Sequence, residues 1–162
     1  MAGLSSAYNP DTMLVSVFIS FGHFFSVFAL SAALVLQLAL ISDSISVDTA
    51  VRIQRADRAY GIAAALVLLF GLLRVFLFDR GADYYFSNTF FLLKMGLLVS
   101  VGLLSIYPTV SYLRWNQALN SGEAPEITPQ SALRLRRLIH YQLIGIGGIL
   151  LCASLVARGY GA

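Results

Sequence analysis

Apolar residues in this chain neither alternate with polar ones nor recur in a single amphipathic stripe. They come in four long runs, from about Met13 to Ile41, Ala59 to Phe78, Thr89 to Tyr112 and Leu138 to Ala157. Each is close to or above the 20 or so residues that a helix needs to cross a hydrocarbon layer about 30 Å thick. A membrane barrel would alternate between lipid and lumen at every second residue, and these runs do not. The pattern predicts an all-α integral membrane four-helix bundle, one domain over residues 1–162. Asp11 or Thr12 offers a cap for the first span and Ser87 or Asn88 for the third, which carries Pro108 in its last third.

Polar segments of about sixteen, ten and twenty-five residues separate the spans. The last holds two of the four prolines, and Thr128-Pro129 with Ser131 reads there as the start of an amphipathic lead-in helix. No internal repeat stands out. Basic residues are divided unevenly. The first and third loops carry Arg52, Arg55, Arg58, Arg114, Arg134, Arg136 and Arg137, whereas the opposite side has Arg80 and Arg158. Arginine-rich loops mark the cytoplasmic face. The expectation is a protein of the bacterial inner membrane with both termini periplasmic. Tyr112 and Trp115 on one side, and Tyr84, Tyr85 and Tyr160 on the other, suit the aromatic belts. The first twelve residues contain no Lys or Arg, so they read as no cleavable signal.

Composition removes the alternatives. Apolar residues make up 58% of the chain and charged ones 12%, with a mean hydropathy of +0.77. Soluble domains carry roughly 25% charged residues, so a soluble enzyme, a nucleic-acid-binding domain and a disordered tail are excluded. The net charge of +3 then reads as topology, not as affinity for nucleic acid. A single cysteine, Cys152, cannot form an internal disulfide or a Cys-based metal cluster.

Ionisable groups in lipid cost several kcal/mol and default to functional hypotheses. His23, Arg74 and Lys94 are the three. At about 1.5 Å per residue, His23 lies roughly 14 Å and Lys94 roughly 8 Å below the outer surface, with Arg74 about one turn from it. Uncertain helix ends leave room for His23 and Lys94 to share an outer-half pocket. Seams of helical spacing point each inward: Ser16, Ser20, His23, Val27 and Ser31 in span one, with Ser26 one turn away; Gly61, Ala64, Leu68, Gly71 and Arg74 in span two; Lys94, Leu98, Val101 and Ser105 in span three; His140, Ile144, Gly147, Leu151 and Ser154 in span four. Small residues serve helix packing in lipid, and serines can bond their own backbone. His23 is either a hydrogen-bonded core imidazole or an axial ligand to haem iron. Lys94 either snorkels or serves a bound group. Arg74 snorkels or pairs with Asp79 or Asp83. His140 lies near the inner surface, on the order of 10 Å from the level of His23, too far for one macrocycle. There it has Arg58, Asp57 or a headgroup as partner. Gly145-x-Gly147-Gly148 reads as packing, not as a phosphate cradle.

Arg55 to Phe76, Gly81 to Leu98, Ser105 to Thr109 (SIYPT), Arg136 to His140 (RRLIH) and Ala157 to Gly161 (ARGYG) resemble a bacterial family of small four-span predicted membrane proteins of unassigned function. The resemblance covers nearly the whole chain and implies a fold but no activity. More distantly, a histidine in span one with a lysine early in span three is similar to the membrane-bound protoporphyrinogen oxidase and the copper-resistance D-type membrane proteins. That likeness implies haem b near His23, with Lys94 as second position. The oxidase's further histidine motifs are replaced here by Ser105 to Thr109.

Three functions follow as expectations. The first is a haem b-binding redox or porphyrin-handling protein, with His23 on the iron and Lys94 as second ligand or propionate anchor, next to Arg74. The second is a non-catalytic accessory or assembly subunit of a larger membrane complex, or a homo-oligomer in the bilayer. The third is a small anion transporter or channel lined by His23, Arg74 and Lys94.

Overall fold

A computed structural model describes residues 10–78 and 82–161, and side chains over 13–76 and 85–161. Helices α1 (Pro10–Leu40), α2 (Val47–Leu73), α4 (Thr89–Arg114) and α6 (Pro129–Ala157) are long and apolar enough to cross a membrane. Short helices α3 (Ala82–Ser87) and α5 (Asn116–Asn120) lie between them. No strand occurs among the described residues, so the protein is an all-α membrane bundle. Asp11, Thr12, Asp79, Arg80, Asp83 and Tyr84, which the sequence offered as caps, ion-pair partners or belt residues, lie outside the described side chains.

Helix starts follow local chemistry. Ser46 caps α2, its hydroxyl accepting from the Thr49 N–H at 3.2 Å, with Asp48 in the first turn. The helix therefore begins well before the apolar run at residue 59. Arg52, Arg55 and Arg58 ride on its first turns, not on a loop. Thr128 caps α6 through the Ser131 N–H at 3.2 Å, with Pro129 at the first position. The amphipathic lead-in and the fourth span are one continuous helix. Of the two caps offered for α4, Asn88 is the one used: its side chain accepts from Phe90 N–H at 3.0 Å and Phe91 N–H at 3.1 Å.

The chain runs up and down as two antiparallel pairs, α1 with α2 and α4 with α6. These pairs meet through lighter contacts of α1 with α6 and α2 with α4. The core is off-centre. Leu34, Ile41, Ile53, Tyr112, Leu135 and Ile139 are its most deeply buried members. Buried positions of α1 begin only at Ser26, and those of α2 end at Ala63. The bundle is thus closed at its arginine-rich end. Toward the chain termini α1 presents Phe18, Phe21, Phe24, Phe25 and Phe28 outward, as lipid-facing positions do.

At the terminal end the last residues lock onto the start of α4. Gly159, at φ +83°, breaks α6 with a left-handed residue. The Tyr160 N–H bonds the Leu155 carbonyl at 3.1 Å and the Gly159 N–H that of Val156 at 3.0 Å, a glycine-dependent helix stop. Asn88 Nδ2 then donates to the Tyr160 carbonyl at 2.9 Å, and the Thr89 N–H to that of Gly161 at 3.1 Å. Gly161 is left-handed too, and a Cβ there would fall 2.6 Å from Phe90 Cδ2.

Two of the four seams face differently from the sequence expectation. On α2 Gly61 and Leu68 are exposed, and the buried stripe is Ala50, Ile53, Ala56, Tyr60 and Ala63. On α6 His140, Ile144, Gly147, Leu151 and Ser154 all face outward. The buried stripe there is Ala132, Leu135, Ile139, Gln142, Ile146, Cys152 and Val156. Small residues misled because lipid accepts either face of an apolar helix. Burial on α6 is decided by close approach to α4, where Cβ atoms at Gly145 and Gly148 would sit 2.5 Å from Val101 and 3.1 Å from Leu97.

Candidate functional site

Contacts between helices fix the relative heights of the polar groups. On the α1–α2 face a Cβ at Gly22 would meet the Phe70 ring at 2.8 Å, and His23 Cε1 lies 3.3 Å from where Gly71 would carry one. On the α2–α4 face the Thr109 hydroxyl donates to the Asp57 carboxylate at 3.0 Å, and Gln54 Nε2 donates to the Tyr112 carbonyl at 2.6 Å and to Asn116 Oδ1 at 2.9 Å. The Tyr60 and Ser105 side chains come within reach of one another one turn further along. Stepping along α2 and α4 in opposite senses from Asp57 and Thr109 brings Lys94 level with residue 72. His23 is level with residues 70 and 71. His23, Lys94 and Arg74 therefore fall within about one turn, ~6 Å along the bundle axis.

The three groups come from three helices. His23 lies on α1 with its imidazole against Gly71, within reach of the Val67 backbone and of the charges of Arg74 and Lys94. Its Nδ1 is buried with no protein partner. Glycine at 71 permits this approach. Arg74 opens a π-helical turn, Arg74–Phe78, that ends α2. Its guanidinium carbon stands 5.8 Å from the Phe24 ring centroid, and the His23 ring meets the same phenylalanine edge-on at 6.2 Å. Lys94, on the second turn of α4, places Nζ 5.0 Å from the Phe91 ring centroid. Cations over aromatic faces in a water-poor setting are held by the ring quadrupole.

The described residues contain no group of three or more His, Cys, Asp or Glu able to hold a bare metal ion. His140 stands apart. Its Nδ1 lies 2.7 Å from the Arg136 carbonyl of its own helix, and the side chain is exposed, bonded neither to Asp57 nor to Arg58. By the same register it lies about ten residues, ~15 Å, from the level of His23.

A second polar layer, toward the arginine-rich end, was not foreseen. Gln37 and Gln142 are each 1% exposed, and Gln37 Nε2, both polar atoms of Gln142 and the Tyr112 hydroxyl have no protein partner. A signal was present in the sequence, since a glutamine amide inside an apolar run is also costly to bury without partners. The serines bond their own backbone instead: Ser26, Ser31, Ser100, Ser111 and Ser154 donate to carbonyls one turn back on their own helices.

The chain matches no curated protein and no solved structure, so the more distant likeness to the protoporphyrinogen oxidase and the copper-resistance proteins finds no support. Residues 15–161, nearly the whole chain, match the family described as "Predicted membrane protein (DUF2214)", and the protein belongs to that family.

Proposed function

We propose that this membrane protein binds haem b at its terminal end, with His23 as the axial ligand and Lys94 and Arg74 serving the propionates. The observation that carries the reading is the imidazole of His23. Its Nδ1 is buried without a protein partner, and the Val67 backbone lies within the ring's reach. Imidazoles that ligate metal typically have their second nitrogen fixed by an outer hydrogen bond, a role the Val67 carbonyl is placed to take. A haem iron brings four nitrogens of its own and needs only one or two protein ligands, so a lone histidine suffices where a bare ion would need a cluster. Two cations within a turn of the histidine suit the two carboxylates of the macrocycle. When bound, the group would supply one-electron chemistry. The protein's part is to bind and orient it, through the Val67 carbonyl that sets the ring of His23 and the bilayer that excludes water.

The test is an absorption spectrum of detergent-purified protein from haem-replete cells, repeated after hemin titration. A Soret band is expected in the wild type. It should be lost in His23→Ala and shifted or weakened in Lys94→Met, while both variants keep the thermal midpoint of haem-free wild type in detergent to within a few degrees. A colourless wild type that takes up no added hemin overturns the proposal.

A second reading, passage of a small anion, is favoured by the π-helical turn at Arg74–Phe78. Irregular helix turns next to charge mark transport sites. Anion flux into proteoliposomes, lost on Arg74→Gln, would replace the first reading with this one.

A further inference from the structure

At the arginine-rich end the chain leaves α4, turns through α5, and passes without regular structure over residues 123–128 before α6 begins. A cavity of about 350 Å³ opens between these segments, with Tyr107, Ser111, Arg114, Trp115, Glu126 and Ser131 on its wall. Tyr107 and Trp115 put it at the level where aromatic side chains meet the membrane surface. Ile127 and Leu135 give it an apolar floor.

Its charges are arranged unusually. Arg114 and Glu126 line the same cavity, and the Arg134 guanidinium sits 5.3 Å over the Tyr107 ring. Yet neither arginine forms an ion pair with Glu126. The cavity therefore offers a positive and a negative pole that do not neutralise one another. A guanidinium fork is matched to phosphate oxygens. A carboxylate beside aromatic faces is matched to a primary ammonium, which has three donors to place. Leu103, about one turn from Tyr107 toward the middle of α4 and exposed, continues from the cavity along the lipid side, where acyl chains would lie.

We propose that this cavity is a binding site for the headgroup of an aminophospholipid, phosphatidylethanolamine, with its phosphate on Arg114 and its ammonium on Glu126. Basic pockets between membrane helices bind lipid headgroups, and the carboxylate is what selects among them. Phosphatidylglycerol has no ammonium, and the quaternary nitrogen of phosphatidylcholine has no N–H to give. The site lies at the far end of the bundle from His23 and is independent of what binds there.

The experiment is a thermal melt of delipidated protein in mild detergent, supported by native mass spectrometry. The added ligands are phosphatidylethanolamine, phosphatidylglycerol and phosphatidylcholine of equal chain length, and water-soluble phosphoethanolamine. The ethanolamine lipid should raise the midpoint most and bind most tightly. Arg114→Gln should weaken both phosphatidylethanolamine and phosphatidylglycerol by about tenfold or more, as loss of a charge-assisted contact does. Glu126→Gln should erase the preference between these two lipids while phosphatidylglycerol still binds. Both side chains are exposed, and an unchanged melt of each lipid-free variant checks that folding is intact. The proposal is overturned if wild-type protein prefers phosphatidylglycerol or treats all three lipids alike. It is also overturned if soluble phosphoethanolamine alone reproduces the full shift, which would make the ligand a solute.

Discussion

The packing of α4 on α6 is the contact most open to a quantitative test, because two glycines of one helix make opposite demands. A Cβ added at Gly145 would lie 2.5 Å from Val101 Cγ2, whereas one added at Gly147 meets nothing within 4 Å. Carbon atoms at rest approach to about 3.5–4.0 Å. Val101 cannot step aside, since it is 5% exposed and a valine in a helix has essentially one χ1 rotamer. The helices must separate, at the ~1–3 kcal/mol typical of overpacking. Alanine's better helix propensity returns up to ~1 kcal/mol at either position. Gly145→Ala should therefore lose about 1–2 kcal/mol, and Gly147→Ala should be neutral or gain up to ~1 kcal/mol. Equilibrium unfolding in mixed micelles at rising dodecyl sulfate fraction reads both. Val101→Ala closes a double-mutant cycle: with the valine shortened the clash goes, and a favourable coupling of ~1–3 kcal/mol should appear. Equal stability of the two alanine variants, or a coupling near zero, would refute the close approach.

Further tests probe other parts of the bundle. Gln142→Leu removes two polar atoms that are buried without protein partners and should stabilise by about 1–3 kcal/mol in the same unfolding assay; a loss of that size would mean that the native bilayer state satisfies them. Asn88→Ala deletes the single oxygen that accepts both cap bonds and the donor to Tyr160. It should cost about 1–3 kcal/mol and raise amide exchange at residues 159–161, whereas unchanged exchange there would show that the tail is held by other means. If the arginine-rich end is cytoplasmic, alkaline phosphatase fused after Ala162 is active and fused after Ser121 is inactive. The reverse pattern inverts the topology.

Much of the candidate site could be read in one dimension. Charge inside an apolar run is conspicuous whatever the packing, so His23, Arg74 and Lys94 could be singled out, and the spacing of His23 and Lys94 on their own helices placed both on inward faces. Their common height could not be read, because it depends on the registers between α1, α2 and α4. Phe70 under Gly22 and Asp57 against Thr109 set those registers. The inward faces of α2 and α6 were misjudged for a related reason. In water a helix declares its buried side by hydrophobicity, but in lipid both sides are apolar and only steric fit between helices chooses.

What the sequence by itself determined is the solvent and the architecture: four apolar runs, nearly free of charge and long enough to span a bilayer, with arginines gathered at one end, admit few folds other than an antiparallel helical bundle in lipid. The caps at Ser46, Asn88 and Thr128 belong to the same class, since they are settled within three or four residues. Only the tertiary structure decided what depends on two helices at once. It made the core tight at the arginine-rich end and lighter toward the termini, left Nδ1 of His23 without a partner beside Gly71, and set Arg114 and Glu126 on one cavity without joining them. Such contacts pair residues far apart in the chain, and their geometry is fixed by the space between helices, which no single helix encodes.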